Sequence, residues 1–378
     1  MKVLCSQGVG VYSIRDRIYN LKMNKTAFTS IVLVVVFAGV AAGVLYKKSA
    51  NECPRFFSPV MAAEPYYEGE LFDAHLHLPT AVKAVSTVAI RIGIPVPAWD
   101  DELSLEYLHC LFGEEGVSRA YGFHVLTRYF PSLEVKKAKE MDKKYPGMIT
   151  HFLMPTMIGP NINPDVSTVR KVLAENPGFF RGLGELKTYD GKKLDDPYVL
   201  SLIDLAREYK LIVMMHPFNE HKAAVEKIVR QYHDVTFLFH GIDYVKEEGE
   251  GDIRDNRDWL KNLIANNDNV YYSLEGRLPF YGWLREHKGE AVPKEKLLPY
   301  VKSQFDIYLK EDTELFKKMI EAYPDRFLRG TDRMHRPHFD RELSALIVEY
   351  SRAFIGRLAP SVQEKYAHEN AEKLLGKE

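Results

Sequence analysis

From residue 71 to residue 332 the chain alternates between short apolar runs and longer amphipathic ones, and this alternation limits the fold more than any other feature. The runs "LFDAHLHL" (71–78), "RAYGFHVL" (119–126), "MITHFLMPT" (148–156), "FFRGLGELK" (179–187), "LIVMMH" (211–216), "VTFLFH" (235–240), "VYYSLE" (270–275) and "RFLRGTD" (326–332) read as strands. Helical patterns over 132–144, 164–176, 195–209, 219–232, 254–267 and 312–323 lie between them. Strands that alternate with helices build a parallel sheet with helices outside it. Eight of them over roughly 260 residues match an α/β fold of the (β/α)8 type, the TIM barrel. An open doubly wound sheet competes, but no Gly-rich phosphate loop follows an early strand. Two segments break the rhythm, 79–102 after strand 1 and 276–311 after strand 7. Both follow strands, on the face where barrels build their sites, and are expected to cover a substrate.

The strand ends carry the chemistry. Residues two apart on a strand share a face, so His75 and His77 are expected to project together, with Asp73 behind them. His216 ends strand 5, His240 ends strand 6, Asp332 ends strand 8, and Glu185 lies near the end of strand 4. Singly, each has an ordinary explanation. A buried histidine can bond a carbonyl, Asp332 can cap a helix, and Glu185 can pair with Lys187 or Arg181. A barrel, however, brings all of these ends into one ring. Imidazole and carboxylate together suit a divalent ion of the Zn2+ type, with an open position for water.

The N-terminus differs in character. Residues 26–46, "TAFTSIVLVVVFAGVAAGVLY", carry no charge and lie between Lys25 and Lys47-Lys48. About 20 apolar residues suffice to span a bilayer, and the flanking lysines favour a retained transmembrane helix over a cleaved signal peptide. The expected organisation is an N-terminal segment (1–25), the anchor (26–46), a linker (47–70) and a catalytic barrel (71–378). Lys2, Arg15, Arg17, Lys22 and Lys25 precede the span, which places the barrel outside the cytoplasm on the single-pass reading. Initiation at Met23 would reverse that bias. With 51 basic and 52 acidic residues, the chain lacks the basic excess of a phosphate-driven nucleic-acid binder. Three cysteines are too few and too scattered for a disulfide framework or a Cys-rich zinc site.

His75-x-His77, His216, His240 and Asp332, in this order, resemble the metal-binding signature of the amidohydrolase superfamily. The tail "YAHENAEKLLG" (366–376) resembles the Asn-Ala-x-x-Leu ending of its amidohydrolase-related branch, which also contains decarboxylases. The likeness runs from about Leu71 to the end of the chain. It implies a TIM barrel, one or two divalent metals and hydrolysis of a C–N, C–O or P–O bond. Some members bridge two metals with a carboxylated lysine, and TatD-like nucleases use a glutamate in Gly-Glu-x-Gly-Leu-Asp. This chain has Gly184-Glu185-Leu186-Lys187, so either Glu185 or Lys187 could reach the centre.

The expected activity is metal-dependent hydrolysis of an amide, lactone or ester in a small molecule. A divalent metal acidifies its bound water, and Asp332 would take up the proton and pass it to the leaving group. His240 would bind a metal or polarise the substrate carbonyl. Asp73 would orient a ligand histidine through its other ring nitrogen. Nonoxidative decarboxylation is the alternative, with Arg277 and Arg333 holding a carboxylate. TatD-like phosphodiester hydrolysis is a further one, and a noncatalytic receptor is the reading from outside enzymology. The expected partners are a small-molecule substrate, with Lys187, Arg277 and Arg333 as binding residues, the membrane through the anchor, and a second copy in a homodimer. No nucleic acid is expected.

Overall fold

The computed structural model describes Cys53, Met61 and residues 64–376, except 92–95, 158, 160, 188–192, 218–220, 242–252 and 277–293 and the side chains of 88–91 and 253–256. Two compact units divide the chain, Met1–Pro54 and Arg55–Glu378, and every described strand and helix belongs to the second. Its strands are β1 (Leu71–His77), β2 (Val117–Leu126), β3 (Ile149–Pro155), β4 (Gly182–Leu186), β5 (Ile212–Met215), β6 (Phe237–Phe239), β7 (Val270–Leu274) and β8 (Phe327–Arg329). These eight strands form one sheet in sequence order, and each neighbouring pair is parallel. The outer edges meet as well. His77 N donates to Arg333 O at 2.9 Å and Asp332 N donates to His75 O at 2.8 Å. The result is a near-closed parallel barrel of eight strands, consistent with the TIM barrel expected from the sequence.

Strand alternation divides the core in two. Val213, Met215, Phe237, Phe239 and Phe327 pack with helix residues such as Leu202, Ile228, Leu260 and Phe316. Ile212, Met214, Leu238 and Leu328 instead join Phe72, Ala74, Tyr121, Phe123 and Phe152 in the barrel interior. The helices outside are α1 (Lys83–Arg91), α2 (Leu105–Glu115), α3 (Pro131–Lys144), α4 (Val166–Ala174), α5 (Pro197–Glu208), α6 (Lys222–Gln231), α7 (Ile253–Asn266), α8 (Lys294–Ala322) and α9 (Arg341–Gly356). The tail motif seals the barrel where its strands begin. Ala371, Leu374 and Leu375 join the interior cluster, while Asn370 Nδ2 donates to Pro324 O (2.7 Å) and Phe327 O (2.8 Å).

Several expectations need correction. The membrane span over 26–46 lies outside the described residues. Among the described residues no helix is long and apolar enough to cross a membrane. The single-pass, extracytoplasmic assignment therefore has no described helix to carry it. The longest described helix, α8, has 29 residues but carries charges throughout, and it buries its apolar stripe in the core. Residues 294–311, expected as loop, are the first half of α8. The 79–102 segment contains α1. Cys53 and Cys110 are each disulfide-bonded, although the sparse cysteines suggested no framework.

Candidate metal centre

The interior alternation continues one step past several strands, and there it delivers polar groups. His216 follows Ile212 and Met214, His240 follows Leu238, and Asp332 follows Leu328, each at a spacing that keeps the inner side. In β1 and β4 the pattern slips. The β1–β2 register shifts between Asp73 and Leu76, so Phe72 and Ala74 face inward first and His75 and His77 take over that side. Both histidine rings contact the interior residue Phe123, with centroids 5.1 and 5.8 Å away. In β4 the register with β5 shifts between Leu183 and Leu186. A side chain at Gly184 would place its Cβ 2.3 Å from Met214 O, and φ there is +131°. Only glycine lets the strand pass and turn Glu185 inward.

These groups meet in a small volume. Glu185 Oε1 lies 2.8 Å from His216 Nδ1 and 3.1 Å from His240 Nε2, and Oε2 lies 3.4 Å from His77 Nε2. Asp332 Oδ1 is 3.0 Å from His77 Nε2 and 3.5 Å from His75 Nε2. The two β1 histidines bring their Nε2 atoms to 3.1 Å of each other. Lys187 Nζ is 3.3 Å from His216 Nδ1. The Glu185 alternative, a salt bridge to Lys187 or Arg181, is not what its carboxylate contacts. Arg181 instead donates to Leu375 O.

Electrostatics follow from burial and crowding. Burial raises the Glu185 carboxyl, but His240, His216 and His77 outweigh it and hold it well below its ordinary value. Burial likewise raises Asp332, and His75 and His77 reverse the effect. Burial would lower His77, yet hydrogen bonds to Asp332 and Glu185 hold it up at about 9. Burial, Lys187 and His240 push His216 down to about 3.

The donor set fits a divalent ion. Two groups, His75–Glu185–His240 and His75–His77–Asp332, each have ligand atoms within 4.8 Å of one another. Glu185 Oε1 and His240 Nε2 are buried without a hydrogen-bond partner, although they face each other. Buried carboxylates facing imidazole nitrogens are costly unless a cation joins them. This barrel shape is found in solved structures. The fold is shared with solved structures of amidohydrolases. An amidohydrolase from Burkholderia multivorans with bound zinc is 13% identical with a TM-score of 0.55, over 82% of this chain and 99% of its own. A probable 2-pyrone-4,6-dicarboxylic acid hydrolase from Acinetobacter baumannii with citric acid bound is 14% identical with a TM-score of 0.51, over 81% of this chain and 99% of its own. No protein-family model matches the sequence, and no curated protein matches it.

Within this barrel, two expected roles change. Asp73 touches no ring nitrogen. The β1 slip turns it towards β8, where Oδ1 accepts from Thr331 N (2.9 Å) and Oδ2 from Thr331 Oγ1 (2.5 Å). It therefore joins the backbone of the first and last strands. Arg333 is fully buried and pairs with Glu115 at 2.9 Å, because the residue after an inward Asp332 points outward against α2. A substrate carboxylate does not meet it there. Arg277 lies outside the described residues. Sequence reasoning also passed over Glu275. It follows Ser273 on the inner side just past β7 and sets Oε1 3.3 Å from His75 Nδ1 and 3.7 Å from His240 Nδ1. Burial and the charge of Asp332 push its carboxyl well above the ordinary range. The rule that picked out His216 and His240, an ionisable residue at a strand end, would have found it.

Proposed function

We propose that this chain is a metal-dependent hydrolase of a small amide, lactone or ester, built on a TIM barrel and using zinc or a similar divalent ion. The observation that carries this reading is the meeting of His75, His77, His240, Glu185 and Asp332 ligand atoms at the strand ends. The zinc found in the Burkholderia multivorans amidohydrolase supports the choice of ion. His75, His77 and Asp332 would hold one ion, and Glu185 with His240 and His216 beside it could hold a second. A bound divalent ion would supply an acidified water in a site that excludes bulk solvent. Asp332 would then accept the proton of the attacking water and return it to the leaving group. Its carboxylate is held ionised by His75 and His77, so it would meet the water as an acceptor. His240, fixed against Glu185, would hold its ring at the substrate side or on the second ion. Lys187, next to His216, would face the substrate as a cation.

The test has two parts, metal per chain in the purified protein and activity against a panel of esters, lactones and amides, with carbon dioxide release measured alongside. One or two ions per chain with hydrolysis of at least one panel member is the expected result. A metal-loaded protein that releases carbon dioxide from aromatic carboxylates and hydrolyses nothing would replace hydrolase with decarboxylase. A chain that takes up no divalent ion would remove both.

A further inference from the structure

We infer that Glu275 is a positioning residue that orients two imidazoles at once, His75 and His240, for metal ligation. The inference rests on the metal-centre reading above. Glu275 stands just past β7 and is 5% exposed, and its ion-pair contacts are the two imidazoles. Its Oε1 lies 3.3 Å from His75 Nδ1, within hydrogen-bond range, and 3.7 Å from His240 Nδ1, where the attraction is between charge and N–H dipole. The two rings stand edge to face with centroids 4.1 Å apart, so one oxygen can serve both.

The consequence lies on the far side of each ring. Ionised, as a cation at the centre would favour against the effect of burial, the Glu275 carboxylate can only accept, so it selects the tautomer with the hydrogen on Nδ1. The Nε2 lone pairs then face the centre. His75 Nε2 is there 3.1 Å from His77 Nε2, and His240 Nε2 is 3.1 Å from Glu185 Oε1. Carboxylates that hold metal-ligating histidines in this way fix both tautomer and ring orientation, and their loss typically costs about 10–100-fold in metal affinity.

A neighbouring position keeps the space open. A Cβ at Gly330 on the adjacent strand end would lie 2.2 Å from Ser273 Oγ, 3.1 Å from His75 Cβ and 3.4 Å from Glu275 Oε1. Glycine there lets His75 and Glu275 approach each other.

The test titrates metal-free, full-length protein with Co2+, following affinity and the visible absorption of the bound ion. Glu275→Leu removes the acceptor and Glu275→Gln keeps an accepting oxygen of the same reach. We expect the leucine variant to bind roughly 10–100-fold more weakly with a shifted spectrum, and the glutamine variant to recover most of the wild-type affinity. If the leucine variant does not fold, Glu275→Asp carries the test. It stays charged but its oxygen falls one bond short, and it too should bind more weakly than wild type. Wild-type affinity and spectrum in Glu275→Leu, or in Glu275→Asp where that replaces it, overturns the inference and leaves the metal centre standing. Absence of Co2+ binding by the wild type itself removes the reading beneath it.

Discussion

Asp332 sits in the left-handed backbone region at φ 49°, which Asp and Asn enter more readily than other side chains. The helix that follows is capped by Asp340, whose Oδ1 accepts from Glu342 N (3.1 Å) and Leu343 N (3.4 Å). Capping is therefore not the task of Asp332, and Asp332→Asn isolates the proton. Asn keeps the backbone conformation and a ligating oxygen but takes up no proton near neutral pH. The variant should keep most of its metal and its melting temperature while turnover falls about 10²–10⁴-fold, the usual worth of acid–base catalysis. Metal content, Tm and rate measured on the same preparation check this. Full turnover with bound metal would mean that another group is the base.

Between elements, Glu134 on α3 ties the β1–α1 connection down. Its Oε1 accepts from the Thr80 hydroxyl and, at 2.9 Å, from Ala81 N. Burial pushes this carboxyl from 4.5 up to about 7, against the lowering effect of those donors. A folded-state pKa above the unfolded one means that the folded chain binds the proton more tightly. The stabilisation is full below about pH 4.5 and is lost as pH rises through about 7. Its size is on the order of 3 kcal/mol. Glu134→Gln keeps the acceptor and does not titrate. Relative to wild type, it should gain stability of that order between about pH 5 and pH 8, read from urea midpoints at the two pH values. An unchanged difference would place the charge of Glu134 in contact with solvent.

The same scale shows what was readable in the chain. Seven of the eight strands lie inside the runs that alternation picked out and β2 begins two residues before its run, because strand spacing and β-branched content are local properties. Helix α8 was half missed. Its buried residues Leu297, Val301, Phe305, Leu309, Asp312, Phe316, Met319 and Ile320 keep helical spacing, but Pro299 and the acidic Asp312 in that stripe obscure it. In α9, Ser344, Glu349 and Arg352 are buried together with the apolar residues, so no clean stripe marks the helix.

Across the whole molecule, the ligand atoms come from β1 and from the ends of β4, β5, β6 and β8, and only the folded barrel gathers them. An ion that binds the folded chain and not the unfolded one stabilises it by mass action, by about 4 kcal/mol at a thousandfold excess over Kd. Treatment with a chelator should lower Tm by several degrees and added Zn2+ should restore it. A melting curve indifferent to both would show that these side chains hold no ion.

The sequence by itself determined the barrel class, the order of its strands and the ionisable residues at their ends. Each of these is written in short-range periodicity. Tertiary structure alone decided which neighbours those residues meet. It sent Asp73 to Thr331 through a register slip in β1, sealed Arg333 against Glu115 and set Glu275 behind His75 and His240. Apart from Glu275 with His240, these pairings join residues 200 or more positions apart. They depend on register and barrel closure, which no local pattern encodes.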